Sequence, residues 1–401
     1  MMKKLLLIFL ALLMVFPMAA CQGESGDVIE ETEAVAGETP KEKIVIGNIQ
    51  DLSGPAANSG KPNAWGVEYA VQVVNENGGI NGRELEVITY DCKNDLSEGI
   101  NVYRKLVDEH EVVAIIGPPL SNPASGWVEI SEEDQVPIVG HFMDEICTTD
   151  PETGEAYPYM FLAEPSCVPQ SQAIAKYGLE DLGLTRFATM YNTGNAYAVA
   201  NVNAFMDYIV NNGGEMVAEE TFTWSDTDYS AQALKIIESE PDAVFLSEYV
   251  NEMALGYDFL RDAGYEGIIL GANTTGYPFP SLVKNDIYDL YFVQNYDMFN
   301  PEAGGYELFR KHMEEEGAEY PMFNVGFGWD AVQVLVAAMR KAEDPTDGVE
   351  LRDLLEQTEG VELTEGTITI DPETHRPNNM GMYISYYDEE NIIRAVTYIV
   401  P

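Results

Sequence analysis

The residues best suited to hold a small molecule lie where aliphatic runs give way to polar loops. Gly117-Pro118-Pro119-Leu120-Ser121-Asn122 follows the run Val112-Val113-Ala114-Ile115-Ile116 and opens a helix. Backbone N–H groups at such a helix start point outward and receive an anionic or carbonyl oxygen. Ser121 and Asn122 have two uses there, capping the helix or touching a ligand, and both can hold at once because a capped turn still exposes donors. This is binding chemistry. No Gly-x-Ser-x-Gly string supplies an activated nucleophile. The histidines His110, His141, His312 and His375 are scattered, with no pairing to a nucleophile, and no Cys-x-x-Cys or Cys/His cluster reads as a metal site. No enzyme activity, metal or cofactor is expected.

The chain begins Met1-Met2-Lys3-Lys4, runs uncharged from Leu5 to Ala20, and reaches Cys21 through Met18-Ala19-Ala20. A basic start, an apolar middle and small residues before a cut describe a secretory signal over residues 1–20. Cys21 after two alanines resembles the lipobox of bacterial lipoproteins, which implies an acylated cysteine at the mature N-terminus. Residues 21–43 are rich in glutamate and poor in bulky side chains, so they read as a flexible, lipid-anchored linker. No later stretch is long and apolar enough to span a bilayer, so the membrane is expected to be met through the lipid alone. The expected location is the cell envelope, on the outer face of the cytoplasmic membrane or in the periplasm. In that oxidising compartment Cys147 and Cys167, which bracket a loop rich in Asp, Glu, Pro and Gly, could be joined by one bridge, leaving Cys92 odd.

A net charge of −47 argues against nucleic acid or anionic lipid as a partner. It identifies no ligand, and solubility alone accounts for it more simply than a saline habitat does.

The elements that must position the candidate residues alternate strand-like and helix-like. Ile44–Gly47, Leu85–Ile88 and Val112–Gly117 read as strands around helices Ala64–Glu76 and Ser97–Glu109. The pattern then starts again with strands Arg186–Tyr191, Glu215–Phe222, Ala243–Leu246 and Gly267–Gly271, between helices Ala198–Asn211, Ser230–Ser239 and Glu252–Ala263. Repeated βα units mean a parallel sheet covered on both faces. Two such units in one chain predict an α/β protein of two doubly wound lobes with a cleft between them.

These segments resemble the type I periplasmic binding proteins, in their leucine/isoleucine/valine-binding branch. The resemblance is carried by Asp51-Leu52-Ser53-Gly54-Pro55, by Asn75-Glu76-Asn77-Gly78-Gly79-Ile80-Asn81-Gly82-Arg83, by Ala114-Ile115-Ile116-Gly117-Pro118 and by Pro241-Asp242-Ala243-Val244-Phe245. Trp329-Asp330-Ala331-Val332-Gln333 and Thr367-Ile368-Thr369-Ile370-Asp371-Pro372 extend it toward the C-terminus. In the glycine-rich string, Gly78 can end a helix in a left-handed conformation before Asn81-Gly82 turns the chain. The resemblance implies a three-strand hinge, with crossings near Glu164, Asn295 and Asp371. Lobe one is then 44–163 plus 295–370, and lobe two is 164–294 plus 371–401. It also implies the solute-binding component of an ABC uptake transporter, whose partners are a small-molecule ligand and a membrane permease. A ligand-sensing receptor domain shares this fold and is the rival reading.

Carried over residue by residue, the resemblance makes Ser121 and Asn122 ligand contacts, and places the segment His141-Phe142-Met143-Asp144 at the ligand. Here Phe142 and Met143 stand where the family has small residues, so packing in the core and a turn cap by Asp144 are the competing uses. Tyr197 and Tyr249 match aromatics that cover the ligand, and Trp329 matches a cleft aromatic that can equally be a core tryptophan. Asn273 stands where the family has a glutamate for the ligand's ammonium. The expected ligand is an amino acid, branched-chain or related. Unless Asp144 or Glu248 compensates for Asn273, the alternatives are an amide, a urea-like compound or an aromatic acid.

Overall fold

The protein is described by a computed structural model over residues 42–118 and 120–400. The expected signal, Cys21 and nearly all of the linker lie outside the described residues. Among the described residues no helix is long and apolar enough to cross a membrane.

The chain builds two sheets. The first contains β1 (Ile44–Gln50), β2 (Leu85–Asp91), β3 (Ile115–Ile116), β4 (Ile138–Gly140) and β5 (Met160–Leu162), in the order β2-β1-β3-β4-β5 with every pair parallel. Between them run α1 (Ala57–Glu76), α2 (Leu96–His110), α3 (Ser121–Ala124) and α4 (Val128–Asp134). A parallel sheet wound this way is buried on both faces, and the side chains alternate accordingly. Ile46, Ile116, Val139 and Phe161 join α1 in one core. Ile49, Ile115, Ile138 and Leu162 join Tyr103, Leu106 and Trp127 in the other.

Local chemistry sets the boundaries. Asp95 caps α2 by accepting the Glu98 N–H at 2.8 Å. At the other end of α1, Gly78 and Gly82 have φ of 94° and 78°, the left-handed region that their lack of a Cβ permits.

The second sheet repeats the plan with β6 (Arg186–Asn192), β7 (Glu215–Phe222), β8 (Ala243–Leu246), β9 (Ile268–Gly271) and β10 (Leu290–Gln294), ordered β7-β6-β8-β9-β10 and parallel. Its helices are α5 (Cys167–Lys176), α6 (Ala196–Asn211), α7 (Ser230–Glu238), α8 (Val250–Asp262) and the short α9 (Phe279–Leu282). The chain then returns as α10 (Tyr306–Glu316), α11 (Phe323–Lys341) and α12 (Gly348–Glu356); Val332 and Leu335 of α11 pack into the first core with α1. Two short pairs follow, β11 (Val361–Glu362) with β12 (Thr367–Ile368) and β13 (Ile370–Asp371) with β14 (Arg376–Pro377). Finally β15 (Met382–Tyr387) and β16 (Ile393–Ile399) extend the second sheet antiparallel beyond β10.

The α/β architecture of two doubly wound sheets agrees with the sequence pattern. The third crossing comes later than the expected Asp371. His375 stacks on Phe161 with ring centroids 4.2 Å apart and its carbonyl accepts the Leu162 N–H at 3.0 Å. Arg376 reaches Thr148, Thr149 and Glu145. These contacts hold residues 371–377 against the first sheet, so the chain leaves it between β14 and β15.

Candidate ligand cleft

In a doubly wound sheet the strand order reverses between β1 and β3, and again between β6 and β8 in the second unit. Loops leaving the carboxyl ends of strands on either side of that reversal splay apart and leave a crevice. Here the two crevices face each other and share one narrow cavity, with room of about 40 Å³ for the centres of water-sized molecules. Ser121 reaches it from the loop after β3, and His141 and Met143 from the loop after β4. Tyr197 enters from the first turn of α6, which follows β6, Tyr249 from the loop after β8, and Asn273 from the loop after β9. Phe323, Asn324 and Phe327 of α11 and Ser59 of α1 add to the wall.

The polar groups divide into those already satisfied and those left open. Tyr197 Oη donates to Asn273 Oδ1 at 2.6 Å, and Asn273 Nδ2 donates to Asn295 Oδ1 at 3.3 Å and faces Met143 Sδ at 3.5 Å. Asn295 Nδ2 continues to Glu164 Oε2 at 3.2 Å, so the cavity wall is tied to two of the crossings. Ser121 Oγ accepts the Asp144 N–H at 3.1 Å and keeps its own proton to donate. Tyr249 Oη and both ring nitrogens of His141 are buried without a partner in the protein. Tyr197 and Tyr249 stack 6.1 Å apart, and His141 lies on Phe327 at 5.0 Å and 15°. Burial alone pushes the His141 imidazole down to about 3, so the ring is neutral.

Of the residues singled out from sequence, Ser121, Met143, Tyr197, Tyr249 and Asn273 line this cavity, and Asn122, Asp144 and Trp329 do not. Trp329 lies beside Tyr69, 5.5 Å away, in an outer groove with Arg310 and Lys311. It follows Phe327 by two positions, about 200° around the helix, so one faces the cleft and the other cannot. Asp144 accepts the Ile146 N–H at 3.3 Å as a cap, and burial raises its carboxyl to about 6. Glu248 is likewise engaged, accepting the Asn192 N–H and, at 3.0 Å, Asn195 Nδ2. Phe142 is fully buried in the core of the first sheet.

The expected bridge between Cys147 and Cys167 is absent; both are buried free thiols. Cys147 Sγ contacts the Ser121 carbonyl at 3.6 Å, whereas Cys167 Sγ accepts from Asn201 Nδ2 at 3.2 Å and lies 3.8 Å from the Tyr197 carbonyl. Each sulfur is engaged by a different element.

Sequence reading placed the segment that begins with His141 at the ligand but singled out Met143 and Asp144 from it, not His141. Its only local signal was its place at the end of a strand. Asn122 has another use. Its Nδ2 donates to the Gly194 carbonyl at 3.2 Å and its Oδ1 accepts the Ala196 N–H at 3.1 Å, bridging the start of α3 to the start of α6. Replacing Asn122 by Ala removes both bonds. The expected result is ligand release about fivefold faster, corresponding to roughly 1 kcal/mol, with the ligand-free melting temperature unchanged. Stopped-flow dissociation read beside a melting curve checks this; an unchanged off-rate rules out the bridge as a latch.

A family model described as periplasmic binding protein matches residues 43–391. A Leu/Ile/Val-binding protein homolog of Brucella melitensis is 24% identical over 354 residues, covering 87% of this chain and 93% of its own. The Leu/Ile/Val-binding protein of Escherichia coli K12 is 23% identical over 310 residues, covering 76% and 82%. Among solved structures, the branched-chain amino acid transporter substrate-binding protein LivJ of Streptococcus pneumoniae, in complex with isoleucine, superimposes with a TM-score of 0.79 at 23% identity, covering 90% of this chain and 100% of its own. A solute-binding protein of R. palustris in complex with benzoate gives 0.77 at 18%, covering 90% and 97%.

Proposed function

The chain belongs to the periplasmic binding protein family and is a solute-binding protein, and from that premise we propose that it captures a small polar solute in this cleft for an ABC transporter permease, without altering it chemically. The observation that supports this is the meeting of Ser121 and Met143 from one sheet with Tyr197 and Tyr249 from the other across one cavity. Neither sheet with its helices can strip a small solute of water alone, so affinity arises when both sets of contacts form. The crossing segments then act as the hinge of closure. Export by the segment 1–20 and acylation of Cys21 complete the reading, holding the clamp near its permease; mass spectrometry of the native N-terminus tests the anchor.

Two ligand classes fit this reading. The curated relatives are named for branched-chain amino acids, which favours an amino acid. The amide of Asn273 in place of a carboxylate favours a solute without an ammonium. A thermal-shift screen over amino acids, amides, ureas and aromatic acids identifies the ligand, because a molecule that binds only the folded state raises its melting temperature. With a ligand in hand, Tyr249→Ala should weaken binding about thirtyfold, the roughly 2 kcal/mol of an aromatic anchor, while leaving the ligand-free melting temperature in place. Unchanged affinity by calorimetry would remove Tyr249 from the site, and a lower melting temperature with unchanged affinity would make it a core residue.

A further inference from the structure

We propose that the cleft selects an uncharged solute bearing both a hydrogen-bond donor and an acceptor, as in a carboxamide or a urea, and that His141 is the residue that contacts this group, with Tyr249 on the wall of the same cavity. The proposal rests on the solute-binding reading and names the class of solute.

The first argument is the absence of counter-charge. Among the described residues lining the cavity there is no Asp, Glu, Lys or Arg. The carboxylates on the same loops are consumed by the protein: Asp144 caps Ile146 N–H, Glu248 takes Asn192 N–H and Asn195, and Glu164 takes Asn295 and Tyr296. Arg376 is occupied by Glu145 and two threonines. An ammonium closed into this space loses its hydration with no carboxylate in return. A carboxylate fares little better, since it meets only neutral donors inside a chain of net charge −47.

The second argument is what the cleft does offer. His141 is 3% exposed, lines the cavity, and has both ring nitrogens unpartnered in the protein. Buried polar atoms left unpaired are costly and rare, so such a pair of nitrogens marks a place where a partner arrives. Burial keeps this imidazole neutral, and a neutral imidazole presents one N–H donor and one acceptor nitrogen. A carboxylate and a guanidinium each present one kind of group only; the neutral imidazole offers one N–H to a solute C=O on one edge of the ring and one acceptor nitrogen to an N–H on the other. The stack on Phe327 fixes the plane of the ring. Tyr249 Oη, the other unpartnered buried group on the wall, supplies one more donor. The rings of Tyr197, Tyr249 and Phe327 suit the flat face of an amide or a small aromatic.

The test is calorimetry on the purified protein with matched probes: isobutyramide, isobutyrate and valine; benzamide, benzoate and phenylglycine; and urea. The expected result is that an uncharged probe binds at least about tenfold more tightly than its charged counterparts. His141→Leu should then lose about thirtyfold, and His141→Gln, which keeps one donor and one acceptor, should stay within about fivefold of the parent. Preference for valine or an acid, or a His141→Leu variant that binds as well as the parent, overturns the proposal and leaves solute binding standing. Failure of every probe, together with failure of the wider amino-acid, amide and acid screen, overturns solute binding itself. Should His141→Leu not fold, His141→Gln and Tyr249→Phe decide, and unchanged amide affinity in Tyr249→Phe with a large loss in His141→Gln counts against the assignment.

Discussion

Replacing Asp330 by Ala is expected to reduce the stability of the protein by about 3 kcal/mol, the cost of orphaning donors around a buried carboxylate. Asp330 lies on α11, fully buried, and accepts the Thr364 N–H at 2.7 Å, Thr364 Oγ1 at 2.6 Å and Tyr296 Oη at 3.0 Å. Tyr296 Oη also lies 2.8 Å from Glu164 Oε1, so one hydroxyl joins carboxylates from two parts of the chain at the crossings. Alanine strands the Thr364 N–H in the core and leaves Tyr296 with Glu164 alone. Asparagine keeps an acceptor for Thr364 and removes a like charge facing Glu164, so Asp330→Asn should stay within about 1 kcal/mol of the parent. Urea unfolding of both variants checks this. A loss below about 1 kcal/mol in the alanine variant would show that the network contributes little.

Stability is also expected to rise as the pH falls from 8 to 5.5. Burial raises the carboxyl of Glu248 to about 8, that of Glu365 to about 7 and that of Asp330 to about 6; burial raises Glu164 as well, with the neighbouring Asp330 adding to it. Between the ordinary carboxyl range and these values the folded chain holds protons that the unfolded chain has released. Folding therefore takes up protons in that window, and the stability present below it is lost as the pH rises through it. One group changes the free energy by at most about 1.4 kcal/mol per pH unit, so Glu248 alone accounts for several kcal/mol between pH 5 and 8. Repulsion within a chain of net charge −47 acts in the same direction. Glutamine at position 248 imitates the protonated acid, with one acceptor and one donor. Glu248→Gln should therefore be more stable than the parent at pH 8 and show a flatter profile. Unfolding free energies at pH 5.5, 7 and 8 test it, and a parent protein most stable at pH 8 would contradict the linkage.

Both effects arise from carboxylates that no local pattern singles out. Glu164 was legible as a crossing and Asp330 as part of a family segment, but their meeting through Tyr296 joins β5, the start of the α10 approach and α11. The same division runs through the cleft. Ser121, Met143, Tyr197, Tyr249 and Asn273 come from loops and helix starts at the carboxyl ends of strands, and strand order in a wound sheet brings such segments together. Asn122, Asp144 and Trp329 come from equally plausible positions, yet the side chains of Asn122 and Asp144 go to the nearest unpaired backbone groups, and the helix turn carries Trp329 to the outer groove.

By itself the sequence determined the elements, their order and the two wound units, because periodicity, caps and left-handed glycines act over a few residues and survive without tertiary context. Tertiary structure alone decided which side chains are left without a partner. His141 is an ordinary histidine after a strand until Phe327 covers one face of its ring and burial removes its water, and Cys147 and Cys167 are a plausible pair until different elements engage their sulfurs. A hydrogen bond satisfied or left open depends on every neighbour in three dimensions, and a binding site is made of the ones left open.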